Sequence, residues 1–268
     1  MRGQIQSQQN GSLVRLHDQN WLDRQRKAGQ VVAKTLGLLE TLVKEKTAKS
    51  LLELDQIAEE FILQNDCTPT FKNYQGNGSK PFPNSVCISV NKQLVHGVAT
   101  DYKLQDGDLV SFDLGATFEG AIGDAAVTCI FGEPKEKRHQ QLVDDCKESL
   151  DRAIAAVAVG KRIGVIGNAI SKFAQGKGYG IITNYGGHGI MENTPHAAPF
   201  VCNKASPNEG VVMQSGLSIA IEPQLTLGGT TTWVAEDGWT VNCESLSAHF
   251  EHTLFLHPDR VEIITARS

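Results

Sequence analysis

Long hydrophobic runs, a surplus of positive charge and a high proline content are all missing from this sequence of 268 residues. The longest strictly apolar stretch runs from Ala153 to Val159, far short of the roughly 18 residues of a membrane-spanning helix, which excludes an integral membrane protein. Acidic residues outnumber basic ones by 30 to 25, so nucleic acid is not expected as the main ligand. With 40% hydrophobic and 21% charged residues but only 9 prolines, the composition is that of a folded globular protein.

The sequence also lacks the motifs of several enzyme classes. It contains no GxxxxGK[ST] loop, no GxSxG turn and no HExxH helix, which argues against phosphate-loop enzymes, serine hydrolases and zincins. The six cysteines form no CxxC pair, so neither a zinc knuckle nor a redox dithiol is expected. We expect reduced thiols in a cytoplasmic protein.

The N-terminal twenty residues have neither the apolar stretch of a secretion signal nor the dense arginine of a transit peptide. We expect residues 1–17 to form a flexible arm and residues 18–268 to form a single domain. Because several patterns occur twice, two similar halves are predicted within that domain, at about 18–131 and 135–260.

Each predicted half begins with a long and then a short amphipathic helix. Apolar residues recur at helical spacing in four segments, and the second segment follows Ser50, a favourable N-cap. An Asn-Tyr pair follows the short helix in both halves, at Asn73-Tyr74 and Asn184-Tyr185. The four stripes are Val32, Leu36, Leu39 and Val43; Leu54, Ile57, Ala58 and Phe61; Leu142, Cys146, Leu150, Ile154 and Val157; and Ile166, Ala169, Ile170 and Phe173.

Acidic residues end or begin four predicted strands. Two apolar runs each carry an acid six residues after a glycine, at Asp113 and Glu222, and the strand candidate after each run begins with an acid, Asp124 or Glu251. Each half would then contribute two carboxylates from neighbouring antiparallel strands. We predict an α+β fold, a duplicated antiparallel sheet flanked by helices, with the functional cleft between the halves.

These four acids and a histidine form a candidate metal site. A single acid at a strand end is usually a solvated edge residue, but four in matched positions would repel one another in a shared cleft unless they bind cations. His188 stands between glycines that allow close approach to such a site, although a histidine in a glycine-rich turn is as often a turn cap. An oxygen-rich set with one imidazole suits two ions of Mn²⁺, Fe²⁺, Co²⁺ or Zn²⁺. His96, which ends the strand candidate Val86 to Val95, either donates to a substrate or is a buried, hydrogen-bonded side chain.

Seven short motifs occur in a fixed order along residues 20–260. They are Pro83-Asn84-Ser85-Val86-Cys87-Ile88-Ser89-Val90-Asn91, Val95-His96-Gly97, Phe112-Asp113-Leu114-Gly115, Gly123-Asp124, Gly187-His188-Gly189-Ile190, Ile221-Glu222-Pro223 and Phe250-Glu251-His252-Thr253. This ordered set resembles the type I methionine aminopeptidases, a family with the pita-bread fold of two pseudo-twofold related halves.

The resemblance implies a metal-dependent aminopeptidase that removes the N-terminal methionine from nascent polypeptides with a small second residue. Water activated by two divalent ions would attack the first peptide carbonyl. The implied ligands, of which Asp124 and Glu251 would bridge both ions, are Asp113, Asp124, His188, Glu222 and Glu251.

The resemblance also assigns roles around those ligands. Glu222 would take and relay a proton, His96 would meet the scissile amide nitrogen, and His196 would hydrogen-bond the carbonyl oxygen as charge develops there. Three further residues, Phe82, Cys87 and Trp239, match the apolar pocket for the methionine side chain.

This chain departs from the family pattern at two places. His196 lies one residue later than the pattern has it, which indicates an insertion within 191–200 and places Pro195 where a bulky pocket residue is usual. His249 stands where the family usually has glutamine, so a titratable group would alter the surroundings of the metal site or the pH profile.

Two alternatives stay open at this point. Proline-specific aminopeptidases and dipeptidases share the five ligands, and some proteins of the fold have lost catalysis and serve as binding modules. The short segment between His188 and Glu222 leaves no room for the helical insert of type II relatives. We expect a monomer that acts on nascent N-termini, with the ribosome as a candidate place of action, and the choice among the four metals stays open.

Overall fold

The computed structural model describes residues 5–7, 13–48, 50–76 and 80–267. Within these residues the helices are α1 (Gln19–Lys44), α2 (Leu51–Gln64), α3 (Lys137–Ala156) and α4 (Gly164–Gly176). The strands are β1 (Ile5–Ser7), β2 (Leu13–Arg15), β3 (Thr68–Pro69), β4 (Cys87–Val90), β5 (Gln93–Val95), β6 (Leu109–Phe118), β7 (Ala121–Ile130), β8 (Gly180–Ile181), β9 (Gly187–Met191), β10 (Thr194–Val201), β11 (Ser218–Ile221), β12 (Gln224–Thr226), β13 (Thr232–Val234), β14 (Val241–Cys243), β15 (Ser247–His249), β16 (Glu251–Leu256) and β17 (Val261–Ile263).

Side chains cap the first two helices. Asp18 accepts a hydrogen bond from the Trp21 amide at the start of α1, and Ser50 accepts one from the Glu53 amide at the start of α2. The predicted stripe of α1 is buried along its whole length. Helix α1 packs on β6 and β7, while α3 packs on β11, β12 and β15 of the other half.

A nine-stranded antiparallel sheet forms the centre of the fold. Its main path runs β10-β9-β11-β16-β7-β6-β3, with β4 also paired to β6 and β17 to β16. From the central β16–β7 pair, the order is β11 then β9 on one side and β6 then β4 on the other, so the two halves contribute strands in the same order. The prediction of an α+β fold built on an antiparallel sheet with flanking helices is confirmed.

Smaller sheets surround this one. Strands β15, β12 and β8 form one, β13, β14 and β5 form another, and β1 pairs with β2. The main hydrophobic core lies between the helices and the central sheet and contains, among others, Val32, Leu39, Phe112 and Ile219. No helix in the described ranges is both long and apolar enough to cross a bilayer.

The structure differs from two expectations. Residues 13–17 of the expected arm pack against the domain: Val14 is buried, and the backbone N–H of His17 donates to the carbonyl of Gly216. Residues 1–4 and 8–12 lie outside the described residues.

The strand predicted from Val86 to Val95 is two strands, β4 and β5, because Asn91 takes a left-handed conformation with φ of 59° and turns the chain.

Candidate metal centre and active site

The register of three strands brings three carboxylates to one face of the sheet. Asp113 of β6 and Glu251 of β16 both lie opposite Ala126 of β7. Asp124 lies two residues before Ala126 on the same strand, and therefore on the same face. The side chains of Asp124 and Glu251 are almost fully buried, at 1% and 2% exposure.

His188 and Glu222, which like Glu251 belong to the second half, complete this cluster. The Nε2 atom of His188 lies 3.8 Å from Asp124 Oδ2, 3.7 Å from Glu222 Oε1 and 3.8 Å from Glu251 Oε1. Glu222 directly follows β11, and His188 lies in β9 beside it.

The glycines on either side of His188 are required by the packing of the strands. A Cβ atom on Gly187 would collide with the carbonyl oxygen of Ala220, and one on Gly189 with that of Ala198. Glycine therefore allows β9 to lie close between its neighbours, and this holds His188 against the carboxylates.

Three overlapping groups of side chains in the cluster have the spacing of a metal site, with ligand atoms within 4.8 Å of one another. One is Asp113, Asp124 and Glu251; the second is His188, Glu222 and Glu251; and the third is Asp124, His188 and His196. All five ligands that the sequence predicts thus lie in one cluster, together with His196.

The electrostatics of the cluster favour a cation. Burial, followed by the charges of Asp124 and Glu222, holds the pKa of Asp113 well above its usual range. Burial likewise holds the pKa of Glu251 well above its usual range, and it raises that of Asp124 to about 6. Burial also acts to raise the pKa of Glu222, but the contacts with His249 and His188 outweigh it and the pKa is lowered.

Two buried oxygens, Asp124 Oδ1 and Glu251 Oε1, have no hydrogen-bond partner, and leaving a buried carboxylate oxygen unsatisfied is costly. A divalent cation among these residues would satisfy both oxygens and offset the repulsion of the carboxylates. The donor set of four carboxylates and an imidazole is the kind that first-row divalent metals bind, so the residues present fit a metal.

Two further histidines reach the cluster, one from each half. The ring of His196 meets that of His188 edge to face, with centroids 4.7 Å apart. His196 is exposed toward a cavity, but desolvation among the rings packed around it, followed by the nearby His188, lowers its pKa to about 3. His96 has a left-handed backbone, with φ of 56°, and burial lowers its pKa to about 4. Both rings are therefore neutral near pH 7.

A bulge in β10 lies at His196, in the segment where the sequence predicts an inserted residue. Thr194 pairs with Met191 and Ala197 pairs with Gly189, so β10 advances three residues while β9 advances two. A bulge of this kind re-aims the side chains that follow it. His196 consequently joins the cluster although it lies one residue later than the family pattern has it.

An apolar cluster lies beside the acids. Cys87 pairs directly with Asp113 across β4 and β6, and it packs in a cluster with Phe71, Phe82 and Trp239. The rings of Phe82 and Trp239 meet edge to face, with centroids 5.4 Å apart. A cavity of about 660 Å³ joins this cluster to the acids. Its lining includes all ten residues that the sequence predicts for the site: Phe82, Cys87, His96, Asp113, Asp124, His188, His196, Glu222, Trp239 and Glu251.

Comparison with known proteins places this site in a family. Residues 23–258 match metallopeptidase family M24. The methionine aminopeptidase of Mycoplasma capricolum is 39% identical over 255 residues, which cover 94% of this chain and 98% of that protein. The crystal structure of methionine aminopeptidase from Thermotoga maritima superposes with a TM-score of 0.87 at 32% identity, over 95% of this chain and 100% of that one. The chain belongs to metallopeptidase family M24 and, within it, to the methionine aminopeptidases.

A more distant protein shares the same fold. The prolidase from Pyrococcus furiosus superposes with a TM-score of 0.71 at 20% identity, and this chain covers 66% of its length. That likeness concerns the pita-bread fold alone. As a member of a metallopeptidase family, this chain uses a divalent metal.

Two tyrosines of this metallopeptidase were not predicted as site residues. Tyr74 and Tyr185 both line the cavity. The Tyr74 ring packs edge to face on His196 and that of Tyr185 on His96, so each contacts the histidine of the other half. The repeated Asn-Tyr pair was the signal that could have identified them.

Proposed function

We propose that this metallopeptidase removes the N-terminal methionine from peptides and proteins whose second residue is small, such as Gly, Ala or Ser. One observation carries the proposal: the cluster of acids and histidines shares a single cavity with the apolar cluster of Phe71, Phe82 and Cys87, and a flexible thioether suits such aromatic surroundings. The identity to named methionine aminopeptidases along nearly the whole chain supports it.

Five residues would hold two divalent ions in this proposal. Asp124, His188 and Glu251 each belong to two of the overlapping groups. Of these three, only the carboxylates of Asp124 and Glu251 have two ligand oxygens, which supports them as the ligands that both ions would share. Mn²⁺, Fe²⁺, Co²⁺ and Zn²⁺ are all compatible with the donor set. When bound, divalent ions lower the pKa of water and polarise a carbonyl group. The five ligands are Asp113, Asp124, His188, Glu222 and Glu251.

The remaining polar residues would orient the peptide and handle protons. Glu222, which lines the cavity, would accept a proton and pass it to the leaving amine. His96, neutral near pH 7, would hydrogen-bond the scissile amide nitrogen. His196, beside His188, would donate to the carbonyl oxygen as negative charge develops there.

The apolar cluster would select the first residue of the substrate. Phe82 and Cys87 form its buried floor, and Trp239, whose indole N–H donates to the carbonyl of Lys80, forms a wall. An unbranched thioether adapts to such a pocket and gains from sulfur–aromatic contacts.

The same proposal covers the domain organisation, the oligomeric state, the location and the substrates of the protein. Residues 18–268 would form one catalytic domain with pseudo-repeats at about 18–131 and 135–260, and the protein would act as a cytoplasmic monomer. Its substrates would be the N-termini of nascent polypeptides, including those still at the ribosome.

Metal dependence tests the proposal directly. Metal-stripped protein is expected to release no methionine from Met-Ala-Ser, and added Mn²⁺ or Co²⁺ is expected to restore release, with two ions per chain by elemental analysis. Glu251→Gln is expected to lower release more than about 100-fold and to lose bound metal. The control is Glu262→Gln, since Glu262 pairs with Arg26 at 2.6 Å and lies outside the cavity lining. A Glu251→Gln protein with full metal content and full activity would contradict the proposal.

A further inference from the structure

His249 lies behind the wall of the cavity and touches one of its acids. The side chain is 1% exposed and is absent from the cavity lining. Its Nε2 atom lies 3.4 Å from Glu222 Oε2. Neither ring nitrogen makes a well-aligned hydrogen bond, so the carboxylate of Glu222 is the polar group to which this buried imidazole is aimed.

A second residue holds the same carboxylate oxygen. Gln224 lies directly opposite His249 in the β12–β15 pair, and its Nε2 donates to Glu222 Oε2 over 2.7 Å. Oxygen Oε2 is thus approached by both members of one cross-strand pair. The other oxygen, Oε1, is left facing His188 at 3.7 Å.

Hydrogen bonds from two other elements hold the backbone around His249 and Gln224. The N–H of His249 donates to the Thr128 hydroxyl, which in turn donates to the carbonyl of His249, both over 2.8 Å. The thiol of Cys146 on α3 donates to the carbonyls of Pro223 and Ala248 at 3.4 and 3.3 Å. The imidazole therefore projects from a rigid base, as a residue that orients another must.

We propose that His249 is a positioning residue for Glu222, acting with Gln224 to hold Oε2 so that Oε1 faces the metal site. The proposal rests on the proposed function, in which Glu222 binds metal and handles a proton. His249 does not reach the cavity, so it acts through Glu222 and does not touch the substrate. Both the neutral Nε2–H tautomer and the imidazolium carry a proton at Nε2, so either form presents a proton to the carboxylate.

Isothermal titration of metal-stripped protein with Mn²⁺ separates positioning from mere packing. His249→Leu is expected to weaken Mn²⁺ binding about tenfold, since loss of a group that orients a metal ligand typically costs 10–100-fold. It is also expected to lower kcat for Met-Ala-Ser about tenfold while KM changes less than about twofold. His249→Gln, which keeps a side-chain donor, is expected to stay within about threefold of wild type.

Ser247→Ala is the matched control. Ser247 lies two residues before His249 on β15 and is equally buried, but its hydroxyl contacts the carbonyls of Asn91 and Gln93. This variant is expected to lower Tm and to leave Mn²⁺ affinity unchanged.

Wild-type affinity and kcat in His249→Leu would overturn the proposal, as would a loss in His249→Gln as large as that in His249→Leu. If His249→Leu fails to fold, the Mn²⁺ titration of Gln224→Leu tests the proposal in its place. That variant removes the hydrogen-bond donor that contacts Oε2 alongside His249. Several-fold weaker Mn²⁺ binding supports the proposal and unchanged binding overturns it. If wild type releases no methionine with any metal, the proposed function fails, while the Mn²⁺ titrations still uphold or overturn the positioning role.

Discussion

Tyr74 and His196 are joined through their side chains, with the phenol oxygen 3.0 Å from the imidazole Nδ1. Their rings also meet edge to face, with centroids 5.1 Å apart. In a neutral imidazole, a phenol that donates to Nδ1 leaves the ring proton on Nε2. The proposed hydrogen bond to the substrate carbonyl requires a proton on Nε2, so the proposed role of His196 has the Tyr74 hydroxyl as the donor in this contact.

Tyr74→Phe is therefore expected to lower kcat for Met-Ala-Ser about five- to tenfold, the equivalent of one hydrogen bond of about 1 kcal/mol, with little change in KM. Steady-state kinetics on the metal-loaded protein measure this. Tyr102→Phe is the control, because the Tyr102 hydroxyl donates to Asp108 at 2.8 Å, away from the cavity. Equal kcat values for Tyr74→Phe and wild type would show that the contact does not orient His196.

Cys87 is expected to act as part of the pocket wall and not as a nucleophile. Burial, followed by the charges of Asp113 and Asp124, holds the pKa of its thiol well above the usual range, and a buried neutral thiol is unreactive. Cys87→Ala should keep kcat within about threefold, and iodoacetamide should leave Cys87 unmodified in the folded protein. The control is Cys243→Ala, a buried cysteine whose thiol contacts the carbonyl of Ser245. Loss of all activity in Cys87→Ala alone would contradict this account.

His17 makes stability depend on pH. Burial lowers its pKa from 6.5 to about 4, although the contact with the Ile190 carbonyl at 2.9 Å acts to raise it. Between these two pH values the unfolded chain binds a proton that the folded chain does not, so this contribution to stability is complete above pH 6.5 and is lost as the pH falls toward 4.

Chemical denaturation of wild type and His17→Phe at several pH values measures that contribution. The ring stacks on Trp21, with centroids 3.6 Å apart, and phenylalanine keeps an aromatic ring there. The free energy of unfolding of wild type is expected to fall relative to the variant by about 3 kcal/mol between pH 7 and pH 4. Parallel curves for the two proteins would show that His17 does not titrate in this way.

The helices were predictable because apolar residues recur at helical spacing in each of them. Ser50 caps α2 as its sequence context indicates. Strand ends were harder to place: Asp124 was expected to begin a strand but lies inside β7, because the turn at Glu119 and Gly120, both at positive φ, comes earlier than the apolar pattern suggests. A local pattern of apolar residues does not show which residues of a hairpin adopt the left-handed backbone conformation.

The residues of the cluster were predictable from the repeated strands that carry acids, but their partners were not, and Asp113, which was expected to end a strand, lies inside β6. That Asp113 and Glu251 share Ala126 as a cross-strand neighbour depends on register between distant segments, which no local pattern contains. The contact of His249 with Glu222, and that of Tyr74 with His196, likewise join residues far apart in sequence. Their roles as ligands and catalysts remain predictions.

Release of the N-terminal residue from Met-Ala-Ser, Met-Leu-Ser and Ala-Pro-Ser by metal-stripped protein, with and without Mn²⁺, Co²⁺ or Fe²⁺, tests the central claim most directly. The account predicts metal-dependent release from Met-Ala-Ser alone, which would mean that the bulge carrying Pro195 and His196 leaves a working methionine pocket. Cleavage of Ala-Pro-Ser instead would indicate a proline-specific peptidase of the same fold. No release with any metal would contradict the account and favour a binding module.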